Sequence, residues 1–200
     1  MPASTVSSFC ATSQHTSGPQ RAIGKTSSKK RPIKNIIDEK ASAAIEEASA
    51  ALKAKNDGPI LKPSGVLNDV MRRRRKACEH LLPACYAKMK KYPSCQLMVE
   101  HIEEAWACRC CCDDYEVYDK LIVAILDILI IIGKNCHSRK KYENIGKRAS
   151  QAGEYAMSTK EYEFLKAFVS VRQLASEQAC IVDDKLKLKQ RKQHHAQIID

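Results

Sequence analysis

The chain has 200 residues, of which 28% are charged and 44% hydrophobic, and its formal net charge is +11 at pH 7. This length suits one domain of about 120–130 residues with flanking segments. Residues 1–20 are rich in Ser and Thr and lack the apolar segment of a signal peptide, so we expect a protein of the nucleus, the cytoplasm or both, and not a secreted one.

The positive charge lies at the two ends of the chain. Residues 1–76 carry 15 basic and 6 acidic side chains, a net charge of +9, and residues 185–200 carry a net charge of +4. Residues 77–184 carry 14 basic and 16 acidic side chains and are close to neutral. Basic segments on either side of a near-neutral core are typical of proteins that bind polyanions.

The N-terminal part of the chain divides into three segments. Residues 1–37 contain few large apolar side chains and are predicted to be a disordered basic tail. Residues 38–56 are alanine-rich, with acids at the start and lysines at the end, which predicts a helix. Its apolar face is thin, so we expect an isolated or partner-dependent helix. Residues 57–76 are interpreted as a basic linker.

Residues 77–184 are predicted to form an all-α domain of four to five helices around a central apolar helix at 120–133. The apolar run from Leu121 to Ile132 has twelve residues, fewer than the roughly 20 that a membrane span needs. Asp127 in its middle is costly in lipid, which favours a buried core helix. The carboxylate then needs a cation from another helix, and the candidates are Lys141, Arg148 and Arg172.

Capping signals divide the rest of this domain. Acidic residues at 113–116 precede the central helix and Gly133 follows it, which predicts its two ends. Gly153 is expected to end the next helix. The residues Ser158-Thr159-Lys160-Glu161 match a capping box and predict a last helix that extends past Val182. Residues 185–200 are interpreted as a basic C-terminal tail.

Three basic blocks are the candidate binding residues. Clustered Lys and Arg side chains neutralise phosphates and release counterions, which gives tight and salt-sensitive binding to nucleic acid. Arg72 to Arg75 lie at the edge of the predicted domain, and we expect them to contact phosphate and not to contribute to the core. The candidates are Lys29, Lys30, Arg31 and Lys34; Arg72, Arg73, Arg74, Arg75 and Lys76; and Lys187, Lys189, Arg191 and Lys192.

The ten cysteines are the second signal. Cys78, Cys85, Cys95 and His101 are separated by 6, 9 and 5 residues, and their order resembles that of compact Cys-Cys-Cys-His zinc fingers with looser spacing. Because Pro83 and Pro93 lie between them, loops can bring these four side chains together around a zinc ion. Two alternatives stay open: buried free thiols, and acylation or redox chemistry, with acylation falling on a second cluster formed by Cys108, Cys110, Cys111 and Cys112.

No arrangement of residues predicts catalysis, because the adjacent Cys136 and His137 do not by adjacency form a catalytic geometry. Three aromatic residues lie near cations and are candidates for stacking on bases, although Trp106 also fits a core position; they are Tyr86, Tyr92 and Trp106.

The leading hypothesis is a non-enzymatic nucleic-acid-binding protein, for RNA rather than DNA, of the compact, basic, cysteine-rich kind found among viral accessory proteins. One alternative is a protein-interaction module whose basic blocks serve nuclear import. Another is a peripheral membrane protein with acylated cysteines, although a membrane partner is not expected. Self-association into a homo-oligomer stays open.

Overall fold

In the computed structural model, residues 33–55, 68–108, 114–134 and 137–199 are described. Across these ranges the chain forms six α-helices and no strand, which confirms the all-α prediction. The helices are α1 (Ile33–Lys53), α2 (Asp69–Met89), α3 (Pro93–Ala107), α4 (Tyr115–Gly133), α5 (Arg139–Ser158) and α6 (Tyr162–Ile199). Residues 1–32, where most of the predicted tail falls, lie outside the described part.

Helix α4 is the predicted central helix. It packs against α1, α2 and α5, while α6 packs against α3 and α5. Asp114 caps the helix, because its carboxylate accepts hydrogen bonds from the backbone N–H groups of Glu116 and Val117, and the helix ends at Gly133 as expected. Its fully buried side chains are Leu121, Ile122, Ile125, Leu126, Ile128, Leu129 and Ile132. Among the helices that the structure describes, none has both the length and the apolar character needed to cross a bilayer.

Helix α1 lies against α2 and α4, which differs from the isolated helix suggested by its sequence. Its small side chains let the helix backbones approach closely, and four of them are buried: Ala41, Ala44, Ala48 and Ala51. The approach is close enough that a Cβ atom added to Gly133 would lie 2.9 Å from Cδ1 of Ile45. An apolar face that looked thin by side-chain volume is thus well suited to close packing.

Helix α2 begins within the segment interpreted as a linker. Asn68 caps it by accepting a hydrogen bond from the backbone N–H of Met71 at 2.9 Å. Residues 69–76 therefore form the first two turns of a helix, and the folded unit begins earlier than residue 77. Pro83 lies inside the same helix rather than ending it.

The central carboxylate has one of its expected partners. The guanidinium of Arg148 on α5 donates from Nε to Oδ2 of Asp127 at 3.0 Å, and both side chains are partly exposed. Lys141 is buried and has another role, since its ammonium donates to the carbonyls of Ile132 and Lys134 at 2.9 and 2.8 Å. Lys141 thereby satisfies acceptors at the C-terminal end of α4.

The turn between α5 and α6 differs from the predicted capping box. Helix α5 continues past Gly153 to Ser158, and the hydroxyls of Ser158 and Thr159 donate back to the carbonyl of Tyr155. Lys160 then adopts a left-handed conformation with φ of 64°, which reverses the chain before α6. These hydroxyls end α5 and do not cap α6.

Helix α6 has 38 residues, which corresponds to a length of about 57 Å. Its N-terminal half is anchored in the core by buried Phe164, Phe168, Val171 and Ala175. Residues 185–195 are all exposed, and the helix continues through Ile199. The segment interpreted as a tail is therefore helical, because no Gly or Pro interrupts a run of good helix formers. We call residues 185–199 the α6 extension.

Candidate nucleic-acid interface

The first basic block cannot be placed on the molecular surface. Lys29, Lys30 and Arg31 lie outside the described residues, and of Lys34 only the position in α1 is described. The remaining two blocks are each carried by a helix, one at the start of α2 and one in the α6 extension.

The block on α2 is divided by the helix. Arg72, Arg73 and Lys76 are exposed and Arg75 is half-buried, whereas Arg74 is only 7% exposed. Residues three and four apart share a helix face, so Arg74 lies on the same stripe as buried Met71 and Cys78. The expectation that the whole block supports no core is wrong for Arg74.

Arg74 joins three helices through its guanidinium. It forms a buried ion pair with Oδ2 of Asp119 on α4, and it donates from Nε to the carbonyl of Ala51 at 3.3 Å and from Nη2 to that of Ala54 at 3.0 Å. The two carbonyls lie at the C-terminal end of α1, where four acceptors lack helical partners. Arg74 therefore stabilises the fold, and its donors are directed away from any phosphate outside.

The α6 extension carries five exposed basic side chains. No acidic residue occurs between Asp184 and Asp200. Lys187 pairs with Asp183 at 2.8 Å, and this hydrogen bond is the main cause that lowers the pKa of Asp183 and raises that of Lys187. Of the five basic side chains in the α6 extension, four are exposed and form no ion pair with a described residue: Lys185, Lys189, Arg191 and Lys192.

A groove of about 540 Å³ lies between the N-terminal turn of α5 and α6. We call it the α5–α6 groove. Arg139 on its rim is paired with Glu143 at 2.7 Å and with Asp183 at 3.3 Å. Those acids neutralise part of the rim, but four basic side chains line the groove, namely Arg139, Lys140, Lys185 and Lys189. The groove thus extends the charge of the α6 extension onto the body of the fold.

An aromatic pair lies beside this groove. The ring of Tyr92, in the turn between α2 and α3, stacks on the ring of His137 with centroids 3.5 Å apart and planes 29° apart. His137 also lines the groove, and its Nδ1 lies 3.0 Å from the hydroxyl of Tyr142. Burial first, and then the charge of Lys141, lower the pKa of His137. We call these two rings the Tyr92–His137 pair.

The structure does not bring the predicted zinc ligands together. In the described ranges no group of three or more His, Cys, Asp or Glu side chains is arranged to hold a metal ion. Cys78 and Cys85 are two turns apart on α2, which separates them by about 10 Å along the helix axis. Cys95 contacts the hydroxyl of Tyr142 at 3.5 Å, and His101 faces Glu104 at 3.4 Å.

The thiols of this set behave as core side chains. Cys78, Cys85 and Cys95 are each at most 1% exposed. Burial raises the pKa of Cys78, and it raises that of Cys85 to about 12 against the opposing charges of Lys88 and Lys141. Cys85 donates its S–H to the carbonyl of Leu129 at 3.4 Å. The three thiols therefore pack as small apolar side chains.

The remaining cysteine and aromatic candidates differ in how deeply they are buried. Of the second cysteine cluster, Cys108 is half-buried, while Cys110, Cys111 and Cys112 lie outside the described residues, as does Cys136. Trp106 is 6% exposed and stacks on Tyr118, so it belongs to the core. Tyr86 is half-buried, whereas Tyr92 is 40% exposed.

Sequence reasoning missed Arg139, Lys140 and Lys185 as candidate binding residues. Arg139 and Lys140 lie far from Lys185 in the sequence, and α5 and α6 bring the three to one groove only after folding. Comparisons of the chain with protein-family models, with curated proteins and with solved structures find no match. The arrangement of exposed charge and aromatic rings is therefore the feature that points to a function.

Proposed function

We propose that this chain is a non-enzymatic nucleic-acid-binding protein, for RNA rather than DNA, that holds phosphates with exposed Lys and Arg side chains. The observation that carries the proposal is the α6 extension, with four exposed cations that have no ion pair in the described chain. Lysine and arginine side chains on a projecting helix follow a phosphate backbone at small conformational cost, because the helix already fixes their spacing.

Two further features support the same function. The α5–α6 groove continues the positive surface onto the body of the fold, and Arg72, Arg73 and Lys76 expose a second set of cations on α2. Arg74 is excluded from this set because it is buried against Asp119. The nuclear or cytoplasmic location and the viral accessory role belong to this proposal as parts of the same hypothesis.

The test compares a variant of the α6 extension with a control of equal charge. The variant replaces Lys189 and Lys192 with Gln, and the control replaces Lys147 and Lys166, which are also exposed but lie outside the α6 extension. Fluorescence anisotropy with a labelled RNA strand gives the affinity of each protein at about 50 and 200 mM salt. For single strands, each lost phosphate contact reduces the slope of log affinity against log salt by about 0.7.

The expected result is a slope reduced by about 1.4 for the Lys189/Lys192 variant, at two phosphate contacts, and no comparable change for the control. A parent protein whose affinity for RNA does not depend on salt would overturn the proposal. So would binding to vesicles that contain anionic lipid under conditions where RNA is not bound, because that outcome supports the peripheral membrane alternative.

A further inference from the structure

We infer that the Tyr92–His137 pair is a stacking platform for an unpaired base, so that the ligand class is single-stranded nucleic acid. The inference rests on the proposed function and adds to it the part of the ligand that is recognised. Phosphate contacts position a strand, whereas contacts with bases distinguish a single strand from a duplex. In a duplex the faces of the bases are already covered by their neighbours.

The ring of Tyr92 is both accessible and held in place. Tyr92 is 40% exposed, although His137 covers part of it at a centroid distance of 3.5 Å. An isolated exposed aromatic side chain has several rotamers, but this ring is held by the stack. A ring that is held in place before binding loses little conformational entropy when a base stacks on it.

His137, which supports the ring of Tyr92, is itself held by contacts that reach the core. His137 is fixed by the hydroxyl of Tyr142 at 3.0 Å, and Tyr142 is buried with its hydroxyl 3.5 Å from Sγ of Cys95. The lowered pKa of His137 keeps its ring neutral near neutral pH. A neutral ring stacks on Tyr92 without placing a further charge under it. These contacts therefore connect His137 to Tyr142 and Cys95 in the core.

Exposed lysines surround the Tyr92–His137 pair. Lys90 and Lys91 immediately precede Tyr92 and are exposed, and Lys140 is exposed three residues after His137. His137 also lines the α5–α6 groove, together with Lys185 and Lys189. Aromatic rings within a track of cations form the arrangement with which proteins bind single strands without base specificity.

The chain offers a matched control ring. Tyr115, at the start of α4, is also 40% exposed, but it lies between Asp114 and Glu116 rather than between cations. The same substitution at the two positions removes the same exposed aromatic surface. Of these two tyrosines, only Tyr92 combines that surface with a stacked neighbour and adjacent lysines.

The experiment measures the affinity of the full chain for three probes: a uridine oligonucleotide, an abasic strand with the same number of phosphates, and a duplex of the same length. Tyr92→Leu is expected to weaken binding of the uridine strand by roughly 5- to 150-fold, the range that removal of one stacking ring gives. Tyr92→Phe is expected to retain the affinity, and Tyr115→Leu to leave it unchanged. Binding of the abasic strand is expected to be the same for all four proteins.

Each other outcome counts against the platform. Equal losses on the uridine, abasic and duplex probes would show that Tyr92→Leu disturbs phosphate contacts or the fold, and circular dichroism melting of the variant would separate these two. An unchanged affinity for the uridine strand would overturn the stacking role while the proposed function stands. A parent protein that binds none of the three probes would overturn both.

Discussion

Arg74 of α2 and Asp119 of α4 form an ion pair in which both residues are buried, 7% and 6% exposed. The pair converts one member of a basic run into a structural element that also caps α1 through the carbonyls of Ala51 and Ala54. Within the described part of the chain, the second carboxylate oxygen of Asp119 accepts no hydrogen bond. The charge of Asp119 therefore depends on Arg74 for its compensation.

Replacing Arg74 with Ala is expected to destabilise the fold by about 3–5 kcal/mol, because it leaves a buried carboxylate without its cation. Replacing the exposed neighbour Arg73 with Ala removes the same formal charge and is expected to change stability by no more than about 0.5 kcal/mol. Urea unfolding of both variants, followed by circular dichroism, measures the two free energies. Equal values for the two variants would contradict a structural role of Arg74.

A second pair of residues reports on the packing of α1. A methyl group added at Gly133 would meet Cδ1 of Ile45 at 2.9 Å and Sγ of Cys85 at 3.2 Å. Overpacking of this kind costs about 1–3 kcal/mol. The change from Gly to Ala gains about 1 kcal/mol in helix propensity, which is less than most values in the range of that cost. Gly133→Ala is therefore expected to destabilise the protein, and Ile45→Val is expected to recover part of the loss by removing Cδ1.

Gly146 is the control for this experiment, because a Cβ atom there would meet only Cβ of Ala175 at 3.8 Å, an ordinary contact. Gly146→Ala is expected to stabilise α5 by about 0.5–1 kcal/mol. Thermal melting of Gly133→Ala, Ile45→Val, the double variant of these two and Gly146→Ala tests the close approach of α1 to α4. Additive effects of Gly133→Ala and Ile45→Val would indicate that α1 does not pack against Gly133.

Local patterns in the sequence predicted much of the helical structure. The caps at Asp114 and Gly133, and the apolar run between them, depend on neighbouring residues and were readable without a fold. Of the three cations predicted as partners of Asp127, Arg148 forms the ion pair, although the carboxylate is 31% exposed rather than buried. The caps follow from rules that act over one or two helical turns, whereas this ion pair joins two helices.

The candidate site was predictable only in part, because its parts meet across the fold. Tyr92 and His137 are 45 positions apart, and no local pattern connects them. The inward position of Arg74 did have a signal, since Met71, Arg74 and Cys78 follow helical spacing, but four adjacent arginines concealed it. The predicted zinc ligands do not meet for a related reason: Cys78, Cys85 and Cys95 lie on helix faces that point into the core, whereas His101 faces Glu104 near the surface.

The turn between α5 and α6 gives a prediction about backbone strain. Lys160 has a φ of 64°, its N–H donates to the carbonyl of Met157 at 3.2 Å, and the N–H of Glu161 donates to that of Ala156 at 2.8 Å. This is the Schellman arrangement, in which the left-handed residue is usually Gly. Lys160→Gly is expected to stabilise the protein by about 1 kcal/mol, because a residue with a Cβ atom is strained in this conformation.

Lys160→Ala is the control, since it removes the lysine side chain and keeps the Cβ atom. Its stability is expected to stay close to that of the parent protein. Differential scanning calorimetry of the two variants measures the difference. A stabilisation by Ala equal to that by Gly would assign the effect to the charge of Lys160 rather than to its backbone conformation.

The last prediction concerns the acid dependence of the support under Tyr92. In the folded protein the pKa of His137 is lowered from its ordinary value of 6.5, mainly by burial and further by the nearby charge of Lys141. Below about pH 6.5 the unfolded chain therefore binds a proton that the folded chain does not, so this residue makes stability fall with falling pH. Above that pH both states hold a neutral ring, and the contribution of His137 to the pH dependence disappears.

His137→Asn is expected to remove this component, because Asn does not titrate in this range. The measurement is the free energy of unfolding of the parent and the variant between about pH 5 and 8, the range in which His titrates. The difference between the two proteins is expected to vary with pH below about 6.5 and to be constant above it. A constant difference over the whole range would show that His137 has the same proton affinity in the folded and unfolded chain, and thus that its ring is not held neutral beneath Tyr92.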